Sequence, residues 1–423
     1  MKLNLTLTAL AASMAFGTLP VHAQTMDELR AEMKKMREEL NELKKARAAE
    51  AKPADSSGWG DRIEALEVKS KDAVVAGDIG GGLRIPGSET SLHIYGYAEA
   101  HAIHDFKQSG PSDVFTDLTF QPLNNSGGQT GKTKFSAETS RFGFETSTPT
   151  SLGTFNTKVE ADFYAYGPAN RNRLRLRHAY GEYGGWLIGQ TWSTFMDVDD
   201  LPETVDFNGP IGAPFSRRTK VRYTYGDAKA GYKFSVAAED PEDQFGGGSA
   251  NERMPQLVAR FDKSFDWGAV NVRALAHEKR SFSQTKRGFG GGVGGSYKLT
   301  DKDLLMGQYT YVEGDVDQLY GSNGYAIDET GKITFDKNQG LVLGCSRTFS
   351  DQLRGSFVLG FNRGNTAGDF ANNQTLGQLS VNLVYSPIKN VELGGELIHG
   401  ERKTFDGDKE TMSRFDLMGR YSV

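Results

Sequence analysis

The sequence holds one cysteine, Cys345, among its 423 residues. No internal disulfide can form, so a cystine scaffold is excluded. Long apolar runs are also missing. Outside the N-terminus no stretch approaches the ~18 residues that a membrane-spanning helix needs. A surplus of positive charge is absent as well: 49 Lys and Arg stand against 54 Asp and Glu, a formal net charge of -5, which argues against a nucleic-acid partner. The histidines, His93, His101 and His104 among them, show no zinc-ligand spacing. No nucleophile–base pairing stands out, so neither a cofactor nor catalysis is expected. The string "GFGGGVGG" at 288–295 imitates a nucleotide loop but sits within a strand pattern with no helix after it. Mean hydropathy is -0.50, which would fit a soluble chain. A membrane β-barrel also gives such a value, because it hides its apolar face in alternation.

What is present falls into segments. Lys2, an apolar stretch to Phe16 and the ending Val21-His22-Ala23 make a secretory leader over residues 1–23. Its removal with Lys2 takes the formal charge from -5 to -6. Residues 24–75 form a helical segment and linker. Met26, Leu29, Met33, Met36, Leu40 and Leu43 follow a 3-4-3-4-3 spacing, an a/d heptad that favours a coiled coil with other copies. "AKPADSSGWG" interrupts it, a short heptad piece recurs near Ile63 and Leu66, and a glycine-rich linker covers 76–91.

From Leu92 to Val423 the period becomes two. Sixteen alternating segments of roughly ten residues each match tilted strands crossing a bilayer. The connections sort into two interleaved sets. One set is short, as in "YGGW" at 183–186 and "GDAK" at 226–229; the other is mostly long and polar, including 104–132, 193–216, 279–287, 313–338 and 400–411. Short turns at one end and long loops at the other mark an outer-membrane barrel. The expected fold is therefore all-β: a 16-stranded antiparallel transmembrane barrel over 92–423, preceded by an α-helical coiled-coil extension. In "FDLMGRYSV", Phe415, Leu417, Tyr421 and Val423 share one face and Arg414, Asp416 and Arg420 the other. The charged face belongs to a wet lumen and the apolar face to lipid.

The run "RNRLRLRH" places Arg171, Arg173, Arg175 and Arg177 on one strand face and Leu174 and Leu176 on the other. One arginine on the lipid face costs about 2–4 kcal/mol at mid-bilayer, so the arginines face the pore; His178 then faces lipid. Same-face neighbours stand about 6.5–7 Å apart, so the column needs water, counter-ions or carboxylates. Arg141, Arg218, Lys220 and Arg222 share lumen faces on neighbouring strands, with Arg260, Arg273 and Arg354 as weaker candidates. The third long connection, 193–216, carries Asp197, Asp199, Asp200, Glu203 and Asp206. Folded inward as a constriction, it would oppose the arginine column and set a transverse field.

"SAETSRFGFETSTPTSLGTFNTKVEADFY", "LRLRHAYGEY", "WLIGQTWSTFMDVDDLPETVDFNGP" and "VRYTY" resemble the DcaP-type outer-membrane porins, densely over strands two to six and more loosely elsewhere. The resemblance implies a homotrimer in the outer membrane of a Gram-negative bacterium, with periplasmic helices that could reach peptidoglycan. It also implies uptake of small anionic solutes such as dicarboxylates, with the strand-four arginines and acidic third loop as the constriction. A general or phosphate-type porin, a barrel-embedded envelope enzyme and an envelope-tethering protein are the alternatives.

Overall fold

The computed structural model describes residues 26–49, 75–107, 115–123, 130–165, 172–243, 250–365 and 373–423. The leader, the heptad piece near Ile63 and Leu66, and Arg171 lie outside them. The chain divides into two compact units, Met1–Ala73 and Val74–Val423. In the first, α1 spans Met26–Ala49 as one helix, with Lys34 and Glu38 in a solvated i,i+4 pair at 3.9 Å.

The second unit is a closed antiparallel β-barrel. Its strands are β1 Ser91–Lys107, β2 Lys132–Ser136 continued as Arg141–Thr150, β3 Gly153–Asp162, β4 Arg175–Tyr183, β5 Trp186–Trp192 and β6 Arg217–Asp227. Then come β7 Tyr232–Glu239, β8 Gln256–Phe265, β9 Gly268–Arg280, β10 Thr285–Lys298 and β11 Asp303–Glu313. The last five are β12 Lys337–Ser350, β13 Leu353–Gly364, β14 Asn373–Tyr385, β15 Val391–Thr404 and β16 Lys409–Ser422. Both pieces of β2 pair with β1, so sixteen strands result. β16 pairs with β1 from Ser413↔Lys107 to Ser422↔Tyr97, which closes the cylinder and leaves no open edge in lipid.

Alternation fixes which face is which. Phe357, Leu359 and Phe361 of β13 are exposed while Val358 and Gly360 between them are buried. Trp186, Trp267 and Tyr421 are exposed beside short turns, where interfacial aromatics belong.

The structure departs from the sequence expectation at three places. Residues 76–91 are not a free linker: Val75–Ala76 pairs with Leu83–Arg84, which pairs in turn with Leu92 and Ser91 of β1. Ser91 Oγ accepts from the Asp78 amide at 2.7 Å, holding the turn. The connections near 279–287 and 400–411 are short, because β9 and β10 run to Arg280 and from Thr285, and β15 and β16 to Thr404 and from Lys409. Polar residues there continue the alternation, so the strands extend past the apolar band. The connection 314–336 contains its own small hairpin, Tyr325–Ile327 paired with Ile333–Phe335.

Candidate functional site: an aromatic-braced guanidinium cluster

The functional surface starts from a register fault. β3 and β4 pair as Asp162↔Arg175 and Ala161↔Leu176, then jump to Glu160↔His178. Arg177 is the extra residue of a β-bulge, which sends two consecutive side chains toward one side. Leu174 and Leu176 are exposed as expected, while Arg177 and His178 are both buried. His178 therefore faces the interior rather than lipid, against Thr191 Oγ1 at 3.0 Å.

The column is neutralised from its own wall. Arg175 donates through Nε to Asp162 Oδ1 at 2.9 Å and through Nη2 to Oδ2 at 2.6 Å. Arg177 donates to Glu160 Oε1 at 2.7 Å and to Asp162 Oδ2 at 2.8 Å. Arg141 lies 3.5 Å from Glu160 Oε1. Three guanidiniums thus share two carboxylates. Rings hold them flat: Arg141 over Tyr97 at 5.1 Å, Arg175 over Tyr164 at 5.1 Å, and Arg175 and Arg177 over Phe207 at 5.4 and 5.8 Å. Ring stacking and bidentate pairing suit Arg and not Lys. Arg175 keeps 24% and Arg141 20% of the side chain open to water, so each retains N–H edges for a passing anion. Arg173 is exposed at the start of the column.

Of the other expected cations, Arg222 stays water-facing, 3.3 Å from Glu182. Arg218 and Lys220 do not. Arg218 bonds Asp317 at 2.7 Å, and Lys220, fully buried, lies 3.3 Å from Glu239. Lys220 is enclosed by the start of the third loop at Thr194, and Arg218 by the backbone at Asp240 and Glu242 together with Asp317, so they fasten the wall instead of lining the water path.

That loop occupies 193–216, as its sequence predicts, but its carboxylates do not oppose the arginine column. They tie it to the far strands. Arg273 and Arg260 donate to the carbonyls of Phe195 and Met196 at 3.0 and 2.5 Å. Asp197 bonds Arg260 at 3.2 Å and Asn271 at 2.6 Å, and Asp200 bonds Asn271 at 2.9 Å. Glu203 grips Arg354 through two bonds of 2.8 Å. Glu396 accepts the amides of Val205 and Asp206 at 2.8 and 3.3 Å. Only Asp199 stays largely exposed. What meets the arginines from the loop is Phe207. Burial pushes the Asp206 carboxyl up to about 6, with Arg414 opposing and Asp416 reinforcing the shift.

The return leg lies against glycines on the lumen face. A Cβ on Gly360 would stand 2.4 Å from the Ile211 carbonyl, and one on Gly340 2.2 Å from that of Gly212. Inward glycines such as Gly340 and Gly360 are a sequence trace of this path that went unread. Two other connections also enter the lumen, which the sequence reading missed. Leu118 from 115–123 packs with Ile211, Leu376, Ile398 and Met412, and the Tyr320 carbonyl accepts from Gly212 at 3.1 Å. An apolar residue inside a polar connection, such as Phe115 or Leu118, is the trace they leave.

No curated protein matches the chain. Among solved structures, the outer membrane channel DcaP of Acinetobacter baumannii is similar at 28% identity and a TM-score of 0.74, covering 82% of this chain and 100% of that one. An anion-selective porin from Comamonas acidovorans shares the fold at 11% identity and a TM-score of 0.54, covering 79% and 100%. OmpF of Salmonella typhi does so at 15% and 0.55, covering 79% and 98%. The sequence profile of the DcaP outer membrane protein family matches residues 78–423. The chain belongs to the DcaP outer membrane protein family.

Proposed function

We propose that this outer-membrane channel passes small anionic solutes, dicarboxylates among them, by passive diffusion. It acts as a homotrimer with α1 on the periplasmic side, where its heptad face associates with those of the other copies. The family and its solved relatives are channels rather than enzymes.

The observation that carries the reading is the surplus of guanidinium over carboxylate at the β2–β4 wall, with Arg141 and Arg175 partly open to water. Each open edge offers a carboxylate two parallel hydrogen bonds. Glu160 and Asp162 compete for the same edges, so a solute is held weakly and handed on. Weak successive sites permit exit as well as entry. The dicarboxylate reading adds that two guanidiniums on this wall, Arg141 and Arg175, are both partly open to water.

The test is the reversal potential of the full chain in planar bilayers across a KCl gradient. Arg141→Ala with Arg175→Ala should move it toward cation selectivity, and phthalate on one side should block the unaltered channel more than the variant. A reversal potential unchanged by the double substitution rejects the reading.

A further inference from the structure

The outer wall carries a charge arrangement that solute passage does not use. At the long-loop end, β9 keeps its alternation past the apolar band. Glu278 falls in the outward phase with Val272 and Ala276, yet it is only 3% exposed. Two guanidiniums cover it. Arg253, just ahead of β8, lies 3.1 Å from its Oε1, and Arg287 on β10 lies 3.7 Å from its Oε2. Those arginines remain 55% and 73% exposed. Arg280, two residues further along β9, is exposed in the same phase. Two guanidiniums therefore share one carboxylate on the outside of the barrel, and a third stands in the same phase.

Below them the surface turns apolar at once. Ala276 pairs with Phe289 on one side and Leu257 on the other, and both of those side chains are exposed. Phe289 is two residues from Arg287, about 7 Å along the strand. The cations thus stand one step above the hydrocarbon boundary, at headgroup depth. The long-loop end of such a barrel is extracellular, so that depth belongs to the outer leaflet. Phe282, in the β9–β10 turn, is exposed as well.

A plain solvated ion pair would account for one arginine over Glu278. It does not account for a second and a third, nor for their place directly above exposed Leu257 and Phe289. The rim repeats the device further round. Lys337 lies 3.5 Å from Glu313, Lys409 lies 2.7 Å from Glu401, and Arg363 and Lys403 are exposed in the outward phase of β13 and β15. On β2 and beside the ends of β3 and β4 the exposed residues include Phe135, Phe163 and Leu174, which are apolar.

We propose that Arg253, Arg280 and Arg287 bind the phosphate of an anionic outer-leaflet glycolipid, with its acyl chains on Leu257 and Phe289. The planar guanidinium fork matches phosphate oxygens and accepts them two at a time. Glu278 holds Arg253 and Arg287 beside each other and offsets one of the three positive charges, so a net positive patch remains on the outer face. The cation-bearing arc from β8 to β16 then faces lipid, and the apolar arc is left for contact between protein copies.

The test uses the full chain in detergent, titrated with bisphosphorylated lipid A, with the same lipid dephosphorylated, and with inorganic phosphate, read by native mass spectrometry. The unaltered protein should bind the bisphosphorylated lipid best. Arg253→Gln with Arg287→Gln should weaken that binding about tenfold and leave the dephosphorylated lipid unaffected. Channel conductance, unchanged in the variant, shows that the barrel still forms. Arg280→Gln disturbs no ion pair among the described residues and should weaken binding about threefold, so a misfolded double variant does not shelter the proposal. Equal binding of both lipids, undiminished binding in both variants, or equal retention of inorganic phosphate alone would each overturn it.

Discussion

The two walls of the lumen use the same residue types to opposite ends. On the β2–β4 wall, Arg141, Arg175 and Arg177 share Glu160 and Asp162 with one another, and aromatic rings set the guanidinium planes. On the far wall, Arg260 and Arg354 each take a carboxylate from the third loop. There the charges are consumed in fastening a segment of backbone. A cation matters to a solute only where its N–H edges are left over, so counting arginines in a pore says little until their partners are named.

Charge reversal gives the largest expected effect. Arg141→Glu with Arg175→Glu should turn the channel cation-selective in a KCl gradient, whereas Arg354→Glu should shift the reversal potential far less. Equal shifts from the two walls would erase the distinction. A smaller change of opposite sign should follow Glu160→Gln, which removes a carboxylate bonded by Arg177 and Tyr95. Anion preference rises because an ionic competitor is gone. Stability falls, since breaking a buried pair costs about 3–5 kcal/mol, and the midpoint of thermal unfolding records that loss separately from the bilayer current.

Fastening can be tested by its own loss. Glu396→Ala strands the amides of Val205 and Asp206 inside the barrel, at roughly 1–3 kcal/mol for each unsatisfied group. The third loop should loosen, and single-channel records should show added current noise with little change in selectivity. The pH dependence points the same way. Asp206 has its carboxyl raised by burial to about 6, so the folded loop holds that proton more tightly than an unfolded one would. Its contribution is complete at low pH and is lost as pH rises through about 6. Noise should therefore grow between about pH 4 and pH 6 and level off above it, and Asp206→Asn should flatten that trend.

Much of this was legible in the sequence, for a physical reason. Alternation is a local property, so the short turn at 183–186 and the loop at 193–216 stand in the structure where the pattern puts them. Two things were not local. The bulge at Arg177 arises from pairing between β3 and β4, and no period in β4 alone announces it, so His178 was placed on the wrong face. The partners of the loop carboxylates lie on strands 63 to 151 residues away, as with Asp197 and Arg260 or Glu203 and Arg354. Sequence shows that an acidic loop and basic strands coexist, but closure of the cylinder decides which of them meet.

Lys220 offers the smallest and sharpest contrast. By alternation it belongs to the lumen with Arg222, its neighbour two residues on, and the sequence cannot separate them. In the structure Arg222 is partly open to water while Lys220 is sealed beside Glu239 and Thr194. Glu239 also accepts from Ser193 Oγ at 2.6 Å and from the Thr194 amide at 2.7 Å, so it anchors the start of the third loop with or without the lysine. Lys220→Met should therefore lower the unfolding midpoint and leave the reversal potential where it was, while Arg222→Met should move the potential and spare the midpoint. A shift in selectivity from Lys220→Met would mean that water and ions reach behind the loop, and the division between fastening and conducting charges would have to be redrawn from that point.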